Sequence, residues 1–262
     1  LVMITGQKPI KKSKQGQFQI VDVVQLFAPI CKMTKQIVNA NTIPSLVREA
    51  FRVAEEEKPG PVLLELPEDI AEEVAEVVDL ILPGERHYAV AGANVINAAA
   101  TAIKDAKRPL VLIGAGANRK EARRAISEFI GMIGLPFCNT QMGKGVVDES
   151  SDYFLGTAAL SDKDYLHDYI KIADLIVNIG HDVAEKPPFF MNHGGAEVIH
   201  VNYKSAQVDQ VYFPQIEVVG DIALSVDALA DALGSRLDIN LEDFEKVRDN
   251  VRGKIFPLDE EP

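Results

Sequence analysis

The 262-residue sequence has no tryptophan, only two cysteines, and few aromatic residues, 6% in all. Cys31 and Cys138 have no partner at metal-ligand or redox-motif spacing. That excludes a disulfide framework and a thiolate metal centre, and fits reduced thiols in a cytoplasmic protein. Positive charge is scarce: 27 Lys and Arg against 39 Asp and Glu give a formal net charge of −12. No large basic surface is left to neutralise phosphates, so nucleic acid is not an expected partner. The apolar runs are short, such as Leu110-Val111-Leu112-Ile113, well below the roughly 18 residues of a membrane span, so no membrane partner is expected. There is no P-loop and no nucleophile elbow; Gly234-Ser235 lies at a helix end without flanking glycines. The five histidines are scattered, and His181 with Asp182 and Glu185 lacks a second histidine at ligand spacing.

What is abundant is apolar patterning. At 47% hydrophobic residues and a mean hydropathy of +0.02, the composition is that of a soluble globular chain of one to two domains. Residues 1–4 read as a buried strand, and because the chain opens on Leu1 within it, sequence upstream is expected. Ile43, Leu46, Val47, Ala50, Phe51 and Ala54 recur on one helical face, with Pro44 in the first turn. Val62 to Leu66 reads as a strand, stopped by Pro67. The charged stretch ending in Pro83-Gly84-Glu85-Arg86 reads as a connector.

Beyond it, helices and strands alternate. Apolar helix faces at Ile96 to Ile103, Ala122 to Ile133 and Ile222 to Leu233 are interleaved with strands at 110–113, 136–138, 175–180, 198–201 and 216–219, and a further helix is expected near 166–173. Gly134 and Gly234 are the expected helix stops. This is an α/β pattern of about five or six parallel strands with helices on both faces. The expected domains are 1–86, 87–235 and a charged linker, 236–262, with one short helix near Leu241 to Val251.

Gly114-Ala115-Gly116 follows a strand and precedes a helix, where such a sheet offers backbone N–H groups to an anion. The third glycine of a dinucleotide fingerprint is replaced by Arg119, so a tight turn without ligand and a phosphate site both remain open. Arg119, Lys120, Arg123 and Arg124 read either as a cluster for a pyrophosphate or as a solvated helix face. Asp221, after Gly220, reads as a helix cap or as a second strand-end ligand. A non-catalytic nucleotide-binding module is therefore one open reading.

A longer string of motifs points elsewhere. Ile4-Thr5-Gly6-Gln7-Lys8-Pro9, Phe18-Gln19, Lys32-Met33-Thr34-Lys35, Lys58-Pro59-Gly60-Pro61-Val62 and Leu66-Pro67-Glu68-Asp69-Ile70 occur in the order and spacing of thiamine diphosphate-dependent enzymes. The sequence most resembles the acetolactate synthase large (catalytic) subunits among them. The likeness continues through Gly114-Ala115-Gly116, Leu135-Pro136, the Thr140 to Gly145 loop, Ala173-Asp174-Leu175, His200-Val201 and Gly220-Asp221. It implies that residues 1–86 are the C-terminal half of a pyrimidine-binding domain with its linker, that 87–235 are a Rossmann-like middle domain, and that 236–262 lead toward a diphosphate-binding domain.

Further expectations follow from the resemblance alone. Gln19 matches a glutamine that approaches thiamine diphosphate; Phe18, Pro9 and Lys11 match positions at the substrate entrance, with lysine at 11 where arginine is usual. Gly114, Gly116, Thr140, Gly180, Asn202 and Asp221 are the candidate cofactor-facing positions of the middle domain. The Mg²⁺ ligands and the cofactor-activating glutamate are expected outside residues 1–262, so this chain alone is expected to be inactive. FAD, which biosynthetic members bind in the middle domain, is doubtful: Gly180-His181-Asp182-Val183-Ala184 and His200-Val201-Asn202-Tyr203 lack the usual arginine and ribose-facing acid, and Pro187-Pro188-Phe189-Phe190-Met191-Asn192 is closer to the FAD-free branch. The implied reaction decarboxylates pyruvate and joins the remaining two-carbon unit to a second 2-keto acid, in a homodimer or tetramer with a possible small regulatory subunit. Another thiamine diphosphate enzyme, an oxidase, a decarboxylase or a different carboligase, is the alternative within the family.

Overall fold

The structure is a computed structural model that describes residues 1–13, 15–18, 20–76, 79–84, 87–158, 166–185, 191–208 and 210–255. It divides into two compact units, Leu1–His87 and Tyr88–Pro262.

The first unit contains β1 (Val2–Gln7), α1 (Val23–Phe27), β2 (Met33–Gln36), α2 (Ile43–Glu55), β3 (Val62–Pro67) and α3 (Glu68–Ala71). Its three strands are parallel, in the order β1-β3-β2. Central β3 is buried almost throughout because it is paired on both edges. Val62 and Leu64 share a core with Ala50 and Ala54 of α2, with Ile43, Leu46 and Val47 at its margin. Phe51, expected on the same helical face, is about half exposed: the buried seam runs through the two alanines, and Phe51 lies beyond it.

The second unit contains α4 (Ala93–Asp105), β4 (Pro109–Ile113), α5 (Lys120–Ile133), β5 (Phe137–Thr140), β6 (Phe154–Ala158), α6 (His167–Ile170), β7 (Leu175–Ile179), β8 (Glu197–Asn202), β9 (Ile216–Val219), α7 (Ile222–Leu233) and α8 (Glu242–Ile255). Six parallel strands run in the order β6-β5-β4-β7-β8-β9. Alternation along each strand builds two cores. In β4, Val111 and Ile113 join Ile126, Phe129 and Leu229 on one face; Leu110 and Leu112 join Tyr169 and Phe244 on the other. Helices therefore cover both faces, and the fold is the expected Rossmann-like α/β layer.

Two differences from the sequence reading stand out. Strands β2 and β6 were not foreseen; both are edge strands with mixed polar and apolar side chains. And the helix expected near Leu241 to Val251, which spans Glu242–Ile255, is docked on the sheet instead of forming part of a linker. Phe244 and Val251 are buried in the second core, and Phe244 meets Tyr169 edge to face with ring centroids 5.5 Å apart. The reason is the stripe of Leu241, Phe244, Val247 and Val251, which supplies an apolar face that only burial satisfies.

Candidate functional site

Two sheet edges, one in each unit, carry the residues singled out above. In the first unit the loop after β1 meets α3, which directly follows β3. The Asp69 carboxylate accepts the backbone N–H groups of Ile10 (3.1 Å) and Lys11 (2.8 Å). Desolvation raises its pKa, but these N–H donors outweigh it and hold it below the ordinary value. The Lys8 ammonium pairs with Glu68 at 2.9 Å and lies 5.4 Å from the centroid of the Phe18 ring. The Pro9 loop is thus held against the Pro67–Ile70 segment.

Beneath it lies a buried acid that the sequence reading missed. Glu65, 1% exposed, accepts from Gln7 Nε2 at 2.8 Å and from Gln36 Nε2 at 2.5 Å. Gln7 Nε2 also donates to the Val21 carbonyl at 2.7 Å, tying down the loop that carries Phe18. A cleft of about 340 Å³ opens here, bounded by Gln7, Gln36, Glu65, Ile20, Val21 and Gln25 among others. The available signal was a lone glutamate inside the apolar run Val62-Leu63-Leu64-Glu65-Leu66 of a central strand. Replacing Gln7 with leucine leaves Glu65 with one amide donor and frees the Val21 carbonyl; a loss of about 1–3 kcal/mol in urea unfolding is expected.

Of the first-unit candidates, Phe18 is 71% exposed and so is no core residue. Gln19 lies outside the described residues. The Lys11 ammonium is bonded to Glu73, whose carboxyl it holds below the ordinary value, so the positive charge expected to meet a substrate carboxylate is already paired.

In the second unit, strand order reverses at β4, with β5 and β6 on one side and β7 to β9 on the other. The β4/β7 edge is therefore the switch point at which open α/β sheets take ligands. Gly114 follows β4, Thr140 ends β5 and Gly180 follows β7, and they converge there. Gly114 N–H donates to the Ile179 carbonyl and Gly116 N–H to the Gly180 carbonyl, both at 2.8 Å. Gly180 has φ of +74°, and a Cβ on it would lie 2.3 Å from Ala117 N. Only glycine fits both demands.

Into this junction comes Glu185, 8% exposed. It accepts from Ala115 N–H (3.0 and 3.1 Å to its two oxygens), from Asp182 N–H (3.0 Å) and from the Thr140 hydroxyl. Burial pushes its pKa above the ordinary carboxylate value; the donors oppose this. Asn202 and Asp221 each bond to neighbouring backbone groups. The Asn202 amide donates to the His181 carbonyl at 2.8 Å and its oxygen accepts from Tyr203 N–H. Asp221 caps α7, accepting from Leu224 N–H at 3.0 Å, so the helix-cap reading describes it. Among the described residues, no group of three His, Cys, Asp or Glu side chains could hold a metal ion. Nor is any described helix long and apolar enough to cross a membrane.

Beside β7 a buried polar chain runs from Asn178 through Tyr212 to His200. Asn178 Nδ2 donates to Tyr212 Oη at 3.3 Å, and Tyr212 Oη lies 2.7 Å from His200 Nδ1. His200 Nε2 faces the Lys204 carbonyl at 2.9 Å, which assigns the proton to Nε2 and leaves Nδ1 to accept. Burial lowers the His200 pKa, with Glu217 and the Lys204 carbonyl opposing. A histidine whose folded pKa lies below its unfolded value of about 6.5 stabilises fully above that pH, and the contribution is lost as pH falls from there toward the folded pKa. Urea unfolding is therefore expected to show falling stability below about pH 6.5, and His200→Gln, which carries no proton to gain, to flatten that slope.

Comparison with known proteins agrees with this architecture. The family model described as "Thiamine pyrophosphate enzyme, central domain" matches residues 96–229, all within the second unit and just over half of the 262 residues. The chain is 29% identical over 240 residues to an acetolactate synthase large subunit of Pyropia yezoensis, covering 89% of this chain and 41% of that one. It is 30% identical over 237 residues to a catabolic acetolactate synthase of Raoultella terrigena, with 89% and 42% covered. A glyoxylate carboligase of Escherichia coli O157:H7 matches at 25% over 237 residues, with 88% and 40% covered. The chain spans about two fifths of the length of these relatives. With its second unit matched to the central domain, the protein belongs to the thiamine pyrophosphate enzyme family.

Proposed function

We propose that this chain is part of an acetolactate synthase, in which pyruvate loses CO₂ and the remaining two-carbon unit is joined to a second 2-keto acid. The observation that carries the reading is the Pro9–Phe18 corner. Motifs shared in order with acetolactate synthases are drawn to one sheet edge by Asp69, Gln7 and Glu65. Residues 1–86 then act as the second half of a pyrimidine-binding domain and 87–235 as the middle domain.

Thiamine diphosphate, when bound, supplies the electron sink for decarboxylation of a 2-keto acid. The lining suits a polar heteroaromatic ring: the amides of Gln25 and Gln36 and the Glu65 carboxylate border the cleft beside the apolar Ile20, Val21 and Val24, while Gln7 is committed to Glu65 and Val21. Gln19 is the residue assigned to the cofactor and substrate, and Phe18 and Pro9 shape the entrance. Gln7 holds the loop that carries them. The Lys11–Glu73 pair makes Lys11 a part of the loop's framework more than a free carboxylate anchor. This reading assigns no Mg²⁺ ligand among residues 1–262. A homodimer or tetramer, a small regulatory subunit and a cytoplasmic location belong to the same reading.

The test is an assay of the protein that carries this chain, supplied with pyruvate, thiamine diphosphate and Mg²⁺. Acetolactate with one CO₂ per two pyruvates is expected. Acetaldehyde or an acetyl product instead overturns the carboligase reading, and product formed from glyoxylate but not from pyruvate transfers it to the chemistry named for the Escherichia coli relative.

A further inference from the structure

We propose that Glu185 is a built-in anion: its carboxylate fills the seat formed by the ends of β4, β5 and β7, so that this unit holds no pyrophosphate of a dinucleotide there.

The geometry accounts for every donor of the junction. The loop after β4 presents three backbone N–H groups, those of Gly114, Ala115 and Gly116. The first and third are bonded to the carbonyls of Ile179 and Gly180, and the second to Glu185. Asp182 N–H and the Thr140 hydroxyl complete the set around the same carboxylate. Two of the three groups that meet Glu185 are backbone N–H groups, which can only donate, and the Thr140 hydroxyl donates to the same carboxylate. This is the arrangement that strand-end loops use for anionic ligands, closed here by a side chain of the chain itself. The Thr140 oxygen in turn accepts from Gly143 N–H at 3.1 Å.

Space gives the same answer. A Cβ on Gly114 would lie 2.6 Å from Glu185 Oε2 and 2.7 Å from the Gly180 carbonyl oxygen, so the carboxylate occupies the approach to the glycine. A phosphate placed there would meet its charge and that of Asp182, three residues earlier in the same loop. The residues present therefore do not fit the pyrophosphate of FAD. An intramolecular carboxylate has the advantage of high effective concentration over a dissolved anion. The inference concerns binding by this chain and stands independently of the carboligation proposed above.

Isothermal titration of the purified chain with inorganic pyrophosphate, and separately with FAD, tests it. No binding is expected for the wild-type chain at millimolar ligand. Glu185→Ala, which empties the seat while leaving its donors, should bind pyrophosphate roughly tenfold tighter or more. Glu185→Gln keeps an acceptor oxygen in place and should show no such gain. Binding of either ligand by the wild-type chain as tightly as by Glu185→Ala overturns the proposal, and so does a folded Glu185→Ala protein with no gain. If that variant does not fold, the amide resonances of Ala115 and Asp182 in the wild-type chain decide: they must shift together through one carboxyl titration, and amides that stay still over the acid range overturn it.

Discussion

Gly180→Ala is expected to cost the second unit about 3 kcal/mol and to lower its melting temperature by roughly 6–12 °C. Two effects add. The backbone φ of +74° is left-handed, which an L side chain disfavours by about 1–2 kcal/mol. The new Cβ would also lie 2.3 Å from Ala117 N and 2.8 Å from the Gly116 carbonyl carbon. Those are backbone atoms, so relief requires β7 and the loop after β4 to separate, breaking the Gly116 to Gly180 hydrogen bond. Gly131→Ala is the matching control. Gly131 sits inside α5 with nothing within 4 Å of a built Cβ, so alanine should raise stability by about 0.5–1 kcal/mol. Thermal unfolding followed by circular dichroism reads both. A Gly180→Ala melt indistinguishable from wild type would mean that the junction is slack.

Phe129→Ala carries the largest expected loss, about 3–5 kcal/mol. Phe129 is 1% exposed and lies in the core shared by α5, α7 and the sheet. Truncation removes the transfer free energy of the ring and leaves a cavity that a parallel sheet braced on both faces cannot close. Against a typical stability of about 5–15 kcal/mol, this is enough to leave the unit only marginally folded. Urea unfolding of the two proteins gives the difference directly. A loss below about 1 kcal/mol would show that the core repacks around the gap.

Much of the architecture is legible because burial on both faces leaves an unmistakable signature. Leu110 to Ile113 is a continuous apolar run, and Leu175 to Ile179 and Val198 to Val201 are apolar but for Asn178 and His200, because all three are interior strands. The edge strands β2 and β6 escape notice for the converse reason. Met33-Thr34-Lys35-Gln36 and Phe154-Leu155-Gly156-Thr157-Ala158 need only partial burial, so selection for apolarity is weak and no periodic signal forms. Helix α8 shows how a charged segment can still be core: four apolar residues at helical spacing suffice to dock it, while Glu242, Asp243 and Lys246 stay in water.

The candidate sites divide along the same line. Sequence alone determined the order of the motifs, hence the family, and it located the strand ends at which ligands of such sheets are met. The pairing of those groups was decided by the tertiary structure. Glu185 lies 70 residues beyond Ala115, and Glu65 lies 58 beyond Gln7. A hydrogen bond depends on direction and on a distance of about 3 Å, and neither is encoded by spacing along a chain that returns through intervening helices. A glycine-rich loop is therefore readable as a place where an anion can sit, whereas the identity of the anion, a ligand phosphate or the protein's own carboxylate, exists only after the strands have assembled.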